Sequence, residues 1–258
     1  MITILLTFLA LAGFAYQQKT IIEISRYLPA TFGVDWVSSY YPAIQRLFSG
    51  SPVYGGNFYN PPWVLFILAP LGLLSAKAGA ALIFALNVCA FVLVFVRLRV
   101  PCWALPILLF LGPIATAQAG SIDGLCALGF LLPPQIGLFF ILTKPQIGIG
   151  LALFWAVDAW VEGRFIKTFS PVIIAYLLSF AVFGWWMGGA IDKPWNVSIF
   201  PWGLLIGLPM LAWAILSNRV GWAIAAGPLL SPYITGPGWG FVPLGIISMV
   251  AKSKKVLY

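Results

Sequence analysis

The chain has 258 residues, of which 62% are hydrophobic and only 8% are charged. Soluble globular domains carry about 25% charged residues, so this composition excludes a soluble fold and predicts an integral membrane protein. The net charge of +8 comes from 14 basic and 6 acidic residues. The basic residues are scattered in short loops between apolar runs, where membrane topology explains them, and we predict no nucleic-acid partner.

Apolar runs follow one another along the whole chain, and each is continuous rather than alternating. Membrane-spanning β-strands alternate between apolar and polar residues, so continuous runs predict α-helices. We predict an all-α polytopic membrane protein with about ten transmembrane helices in a single domain, 1–258. The runs cover residues 2–16, 61–75, 78–96, 103–118, 121–132, 135–143, 147–160, 169–187, 201–216, 220–230 and 238–250.

The run 2–16 has no basic segment before it, so we predict a retained first helix rather than a signal peptide. A polar and aromatic segment, 17–60, follows. Within it, Pro42 is suited to the first turn of a helix and Gly50 to the position just past its end. Ile44, Leu47 and Phe48 would form the apolar stripe of that helix, which predicts a helix lying in the membrane interface.

Small groups of basic residues set the predicted orientation, because cytoplasmic loops carry an excess of Lys and Arg. All these groups fall on the cytoplasmic side if the run 61–75 enters the membrane and turns back at its prolines. Loop 17–60 and the segments around Asp35, Asp123, Lys144 and Tyr233 then lie on the outer face. We predict a multi-pass protein of a bacterial plasma membrane. The basic groups are Arg97 with Arg99, Arg164 with Lys167, Arg219, and Lys252 with Lys254 and Lys255.

The chain contains no histidine, which removes the commonest metal ligand and the usual partner of a nucleophilic Ser or Cys. Cys89, Cys102 and Cys126 lie singly in apolar runs, where a free cysteine behaves as a small apolar residue. We therefore predict neither a metal site nor a cofactor.

Asp35, Asp123 and Lys144 are the ionisable residues that the sequence places at the membrane surface or within it. An ionisable group at membrane depth is costly and is by default a functional candidate. A carboxylate there can deprotonate a hydroxyl, and a lysine can stabilise a phosphate. The alternative for Lys144 is a side chain that extends to the lipid headgroups. The alternative for the tyrosines near Asp35 is an ordinary aromatic belt.

Four short motifs occur in order along the chain. The first contains Asp35, Tyr40-Tyr41, Gly50 with Tyr54, Tyr59-Asn60-Pro61-Pro62 and Pro70-Leu71. The others are Gln118 to Asp123, Lys144-Pro145, and Ser231-Pro232-Tyr233 with Pro243-Leu244. Together they resemble the motifs of the GT-C glycosyltransferases, and most closely those of glycosyltransferase family 87, the polyprenyl-phosphate-mannose-dependent mannosyltransferases.

This resemblance implies an outward-facing, inverting enzyme whose donor is a sugar on polyprenyl phosphate and whose acceptor is a glycan or glycolipid. It implies that Asp35 is the general base, that Lys144 lies near the lipid phosphate, and that Tyr40, Tyr41 and Tyr54 shape the sugar pocket. The full set of substrate-binding candidates is Tyr40, Tyr41, Tyr54, Tyr59, Asn60, Gln118, Asp123, Lys144, Gln146, Ser231 and Tyr233.

The chain departs from the family in two ways. It is short, and the family's Gly-Gln pair is altered to Gln118-Ala119-Gly120. Two other functions therefore stay open. A transporter or flippase for a lipid or small solute would place polar groups along a path near the membrane midplane. A non-catalytic membrane subunit would need neither that path nor an outward-facing site.

Overall fold

In the computed structural model, residues 32–54, 56–186 and 193–250 are described. This part of the chain is helical and contains no β-strand, which confirms the predicted all-α class. The apolar run 2–16, residues 17–31 of the predicted external loop, and the last basic group lie outside the described residues.

Twelve α-helices occur within the described residues, and a π-helical turn, Trp36–Tyr40, leads directly into the first of them. Short 3₁₀ turns occur at Cys102–Ala104, Gly129–Leu131 and Gly236–Gly240. The helices are α1 (Tyr41–Phe48), α2 (Trp63–Gly72), α3 (Ala76–Arg97), α4 (Leu105–Leu111), α5 (Pro113–Ala119), α6 (Asp123–Leu128), α7 (Pro134–Ile141), α8 (Pro145–Val161), α9 (Phe165–Phe183), α10 (Leu204–Ser217), α11 (Val220–Leu230) and α12 (Phe241–Val250).

Two helices, α3 with 22 residues and α9 with 19, are long and apolar enough to cross a membrane. A third candidate span is the pair Cys102–Leu109 and Pro113–Ala119, which is bent by 45°. Helices α2, α8, α10 and α11 are apolar but have only 10 to 17 residues. The protein is thus a helical protein with membrane-spanning candidates, and the count of about ten spans stays a prediction.

The run 61–75, expected to turn back within the membrane, contains helix α2. Its ten residues extend about 15 Å, half of the hydrocarbon thickness of a bilayer. The runs 121–132 and 135–143 contain the even shorter helices α6 and α7, of six and eight residues. Both helices are too short for a full membrane crossing, and together they form a tight hairpin. Gly129 and Gly137 allow the two backbones of the hairpin to come into contact. A Cβ atom on Gly137 would lie 2.8 Å from the carbonyl oxygen of Gly129.

Helix α1 confirms the helix predicted around Pro42, which lies in its first turn. Gly50, just past the end, has the positive φ of +68° that ends many helices. The apolar face of α1 is not exposed, however, as it would be in a helix that contacts only the membrane interface. Ile44 is fully buried and packs against Gly72 of α2, so α1 belongs to the packed body of the protein.

The core consists of two clusters of buried side chains. The larger one joins the second half of α3 to α6, α7, α8, α11 and α12. The smaller one surrounds Trp36, which is fully buried between α1, α2 and the first half of α3. Trp36 can lie flat on α3 because Gly79 has no side chain: a Cβ there would be 2.4 Å from the Trp36 ring. The two clusters meet on α3 near Asn87, which lies between Ile83 of the smaller cluster and Phe91 of the larger one.

Candidate functional site

A buried ion pair between Lys144 and Asp123 is the centre of the candidate site. The Lys144 ammonium lies 2.6 Å from Asp123 Oδ2 and donates a second hydrogen bond, also of 2.6 Å, to the Ser121 hydroxyl. Lys144 is 8% exposed, Ser121 2% and Asp123 0%. Each charge is therefore compensated by the other and almost completely shielded from solvent.

The α6–α7 hairpin brings these two charges together. Asp123 is the first residue of α6, and Lys144 lies between the end of α7 and the start of α8. Asp123 and Lys144 are 21 positions apart, and the hairpin between them brings their side chains into contact. The Asp123 carboxylate compensates the buried ammonium of Lys144, so that the two side chains form an ion pair.

Asn87 of α3 anchors the loop that carries Ser121 and Asp123. Its amide nitrogen donates to the carbonyl oxygens of Ser121, at 2.6 Å, and Ile83, at 2.9 Å, while its amide oxygen accepts from the backbone N–H of Gly124 at 2.8 Å. Asn87 is 3% exposed. Asn87 is not among the residues predicted for the site, although a single amide inside the apolar run 78–96 is a signal that could have identified it.

The position of Asn87 along α3 shows how far the ion pair lies from the end of that helix. This residue is near the middle of α3, about 16 Å from Ala76 at a rise of ~1.5 Å per residue. The loop bound to Asn87, and with it the ion pair, therefore lies about halfway along a helix that is long enough to cross a membrane. At that depth an unpaired charge would be very costly, which accounts for the close pairing.

Asp35 approaches the ion pair from the end of α3 at which Ala76 lies. The backbone N–H of Gly33 donates to the carbonyl oxygen of Gln118 at 2.6 Å, and the Trp36 indole donates to the Ala76 carbonyl oxygen at 2.9 Å. These two bonds fix the residues on either side of Asp35. Burial raises the pKa of the Asp35 carboxyl, while the charge of Lys144 and the neighbouring Ser121 hydroxyl oppose the rise, and Asp123 adds to it. Within the described residues Asp35 forms no salt bridge.

Tyr40 completes the buried centre. It is 3% exposed and packs edge-on against Phe58, with ring centroids 6.2 Å apart. Burial raises the pKa of the Tyr40 hydroxyl, and the neighbouring Lys144, Asp35 and Asp123 all act on it electrostatically. Tyr40 is therefore a neutral hydrogen-bonding group beside the two carboxylates.

A second group of residues forms a rim beside this centre, which we call the Lys193 rim and define as Tyr59, Lys193, Trp195 and Tyr233. The Lys193 ammonium lies 5.3 Å from the centroid of the Tyr59 ring and 6.0 Å from that of Trp195. The Trp195 indole lies 3.1 Å from the Tyr233 hydroxyl, to which it donates. The Tyr233 hydroxyl in turn interacts electrostatically with Lys144, Asp35 and Asp123, so the rim borders the buried centre.

The segment before Tyr233 is held in place by hydrogen bonds to residues 196–198. The Asn196 amide donates to the carbonyl oxygen of Pro232, and the Ser198 hydroxyl donates to that of Ser231. The Ser231 hydroxyl is used within its own turn, where it donates to the carbonyl oxygen of Tyr233 and accepts from the Tyr233 N–H. Ser231, predicted to bind substrate, thus shapes the turn that presents Tyr233.

The remaining predicted residues support the site or lie beside it. Asn60 donates to the Thr143 carbonyl oxygen at 2.8 Å, which ties the loop after α1 to the residue before Lys144. Tyr54 donates to the Asn60 carbonyl oxygen and stacks on Trp186. Tyr41 packs on Trp36. Gln118 contributes its main-chain carbonyl oxygen, and Gln146 is half-buried in the first turn of α8.

The structure therefore brings together Asp35, Tyr40, Asp123, Lys144 and, at the rim, Tyr59 and Tyr233. The roles assigned to these residues stay predictions. In the described part of the chain, no three His, Cys, Asp or Glu side chains are grouped in a way that could hold a metal ion.

Comparisons with protein-family models, with curated proteins and with solved structures each find no match. The resemblance to family 87 therefore rests on the motifs alone.

Replacing Asn87 by Leu should destabilise the protein, because Leu keeps the volume but leaves the Ser121 carbonyl and the Gly124 N–H buried without partners. Each unsatisfied group costs about 1–3 kcal/mol. We expect a free energy of unfolding lower by about 2–5 kcal/mol, measured by denaturant unfolding in detergent micelles. Cys89→Leu on the same helix, at a half-buried position, is the control and should change little. Equal stabilities of the two variants would contradict the anchoring role of Asn87.

The stability costs of removing the two partners of the ion pair should not add. Lys144→Met or Asp123→Leu alone leaves an uncompensated buried charge, at a cost of about 3–5 kcal/mol. We expect the double variant to be destabilised by less than the sum of the two single variants, and unfolding of all three in the same detergent measures this. The partly exposed pair of Arg164 and Asp158 is the comparison, and Arg164→Met should cost only about 0–1 kcal/mol. Strict additivity at Lys144 and Asp123 would mean that the charges are not coupled.

Proposed function

We propose that this protein is a glycosyltransferase that moves a hexose, with mannose as the first candidate, from a polyprenyl-phosphate donor to a hydroxyl of a glycan or glycolipid. The reaction would take place on the outer face of a bacterial plasma membrane, within a polytopic bundle of about ten spans. The observation that carries the proposal is the half-buried carboxylate of Asp35, without a salt bridge among the described residues, beside a carboxylate that is firmly paired.

The two carboxylates have different environments and therefore suit different tasks. Asp123 is paired with Lys144 through its Oδ2 atom, so it is a structural charge. Asp35 has a raised pKa and no cation of its own, so it can both lose and accept a proton. A general base in a transferase needs that property, whereas a carboxylate in a tight ion pair is a poor proton acceptor.

The chemistry would be a single displacement. Asp35 takes the proton of the acceptor hydroxyl while the hydroxyl oxygen attacks the anomeric carbon of the donor sugar. The bond between that carbon and the phosphate oxygen breaks, and both bonding electrons leave with the polyprenyl phosphate. Attack from the face opposite the leaving group inverts the anomeric configuration. The aromatic rings of Tyr59, Trp195 and Tyr233 offer flat apolar surfaces for the C–H faces of a sugar.

Asp35→Asn tests the proposal, because the amide keeps the shape of the side chain but cannot accept the proton. We expect the rate of radiolabelled mannose transfer from polyprenyl-phosphate mannose, in membranes with equal amounts of protein, to fall about 10²- to 10⁴-fold. Asp158→Asn, at a partly exposed position in the last turn of α8, is the matched control and should keep the wild-type rate. Transfer at the wild-type rate by Asp35→Asn would exclude Asp35 as the base.

Ser121→Ala should shift the pH dependence of transfer. The base acts in its ionised form, so the rate falls as the pH drops through the pKa of Asp35, which burial has raised. The neighbouring Ser121 hydroxyl favours the charged form of Asp35, and its removal raises this pKa further. We expect the acid limb of the pH–rate profile to move to higher pH in Ser121→Ala, with the rate recovering at alkaline pH. An unchanged acid limb would mean that a different group titrates.

A transporter or flippase is the second candidate, and the depth of the ion pair favours it. Lys144 and Asp123 lie about halfway along α3, where transporters place the polar groups that bind a solute. Proteoliposomes separate the two functions. Movement of a fluorescent polyprenyl-phosphate lipid between leaflets, lost in Lys144→Met and without any sugar transfer by the wild type, would establish the transporter and overturn the transferase.

A further inference from the structure

Lys144, which the family resemblance places near the lipid phosphate, is already engaged. Two hydrogen bonds of 2.6 Å direct its ammonium at Asp123 and Ser121, and its charge is neutralised by Asp123. When Asp35 is ionised, the centre contains two carboxylates and one ammonium, and its net charge is negative. An anionic phosphate would be repelled by this centre and needs a cation elsewhere.

Lys193 is a cation beside the centre that forms no salt bridge with any described residue. It is half-buried, and its ammonium lies over the rings of Tyr59 and Trp195. Aromatic faces remove part of the hydration of a lysine ammonium, which strengthens its attraction for an anion. Asp192 precedes it in the chain and lies outside the described residues.

Two connections place the Lys193 rim next to the buried centre. On one side, Tyr59 precedes Asn60, which is hydrogen-bonded to Thr143, the neighbour of Lys144. On the other side, Trp195 donates to the Tyr233 hydroxyl, which interacts electrostatically with Lys144, Asp35 and Asp123. A ligand that contacts Lys193 can therefore also reach the vicinity of Asp35.

We propose that the Lys193 rim is a binding subsite for a phosphate group on an amphiphilic substrate, with Lys193 as its cation and Tyr59 and Trp195 as its aromatic walls. This inference rests on the proposed function, because it names the residue that would hold a phosphate of that substrate. The phosphate can belong to the lipid donor or to an anionic lipid acceptor. If the phosphate belongs to the donor, the task assigned to Lys144 passes to Lys193, while Lys144 stays paired with Asp123.

The test measures binding without any sugar transfer. The protein in nanodiscs of zwitterionic lipid is titrated with polyprenyl phosphate, with uncharged polyprenol, and with short-chain phosphatidylglycerol as a phosphate-bearing acceptor probe. Variants are Lys193→Gln, Lys193→Arg, Asp192→Asn and, as a matched control, the exposed Lys77→Gln at the start of α3. Thermal melting of each variant verifies that it folds.

We expect Lys193→Gln to weaken binding of one phosphate probe at least tenfold, Lys193→Arg to weaken it less, and Lys77→Gln to leave it unchanged. Polyprenol binding should be the same in all of them. An effect on polyprenyl phosphate assigns the subsite to the donor, and an effect on phosphatidylglycerol alone assigns it to the acceptor. Asp192→Asn should strengthen binding or leave it unchanged, and a loss as large as that of Lys193→Gln would overturn the role of Lys193.

Unchanged binding of both phosphate probes by folded Lys193→Gln would also overturn the proposal. The proposed function is tested separately by sugar transfer. If phosphate binding depends on Lys193 but the protein has no transfer activity, the subsite is supported and the transferase is rejected. If transfer depends on Asp35 but not on Lys193, the transferase is supported and the subsite is rejected.

Discussion

The buried ammonium of Lys144 is the constraint on which the rest of the site depends. A buried charge about halfway along a helix that is long enough to span a membrane loses its hydration at a cost of several kcal/mol, and only a close opposite charge with further hydrogen bonds offsets that cost. Asp123 and Ser121 provide these contacts. Their loop is itself a row of buried polar backbone groups, which Asn87 satisfies from α3. The hairpin, the loop and the helix are therefore joined by one polar network.

The ion pair between Lys144 and Asp123 separates the ionisable residues of the site into those that neutralise each other and those that are available to a ligand. Asp123 and Lys144 neutralise each other, so neither is free for a substrate. Asp35 and Lys193 lie beside this pair, are half-buried, and form no salt bridge with a described residue. A proton acceptor and a phosphate-binding cation need to be available to a ligand in this way. The proposed transferase and the proposed phosphate subsite follow from this difference in availability.

The scarcity of charge made part of the site predictable. With only 6 acidic residues in the chain, Asp35 and Asp123 stood out, as did a lysine inside an apolar hairpin, and the structure places all three together. Asn87 was missed because hydropathy averages conceal a single amide in a long apolar helix. Lys193 was missed because Lys next to Asp and Pro is typical of a surface turn. The contacts that distinguish them join distant segments, because Asn87 binds Ser121, and Lys193 lies over the ring of Tyr59.

The sequence by itself determined the all-helical class, the membrane character and the small set of ionisable residues at depth. These properties are sums over local composition, and no long-range contact can change them. Only the tertiary structure decided that α6 and α7 form a short hairpin and that α1 packs on α2. It also decided that Asp123 pairs with Lys144, whereas Lys193 forms no salt bridge with a described residue. Those outcomes depend on how closely two backbones approach, as at Gly129 and Gly137, and on which charges then become neighbours after burial.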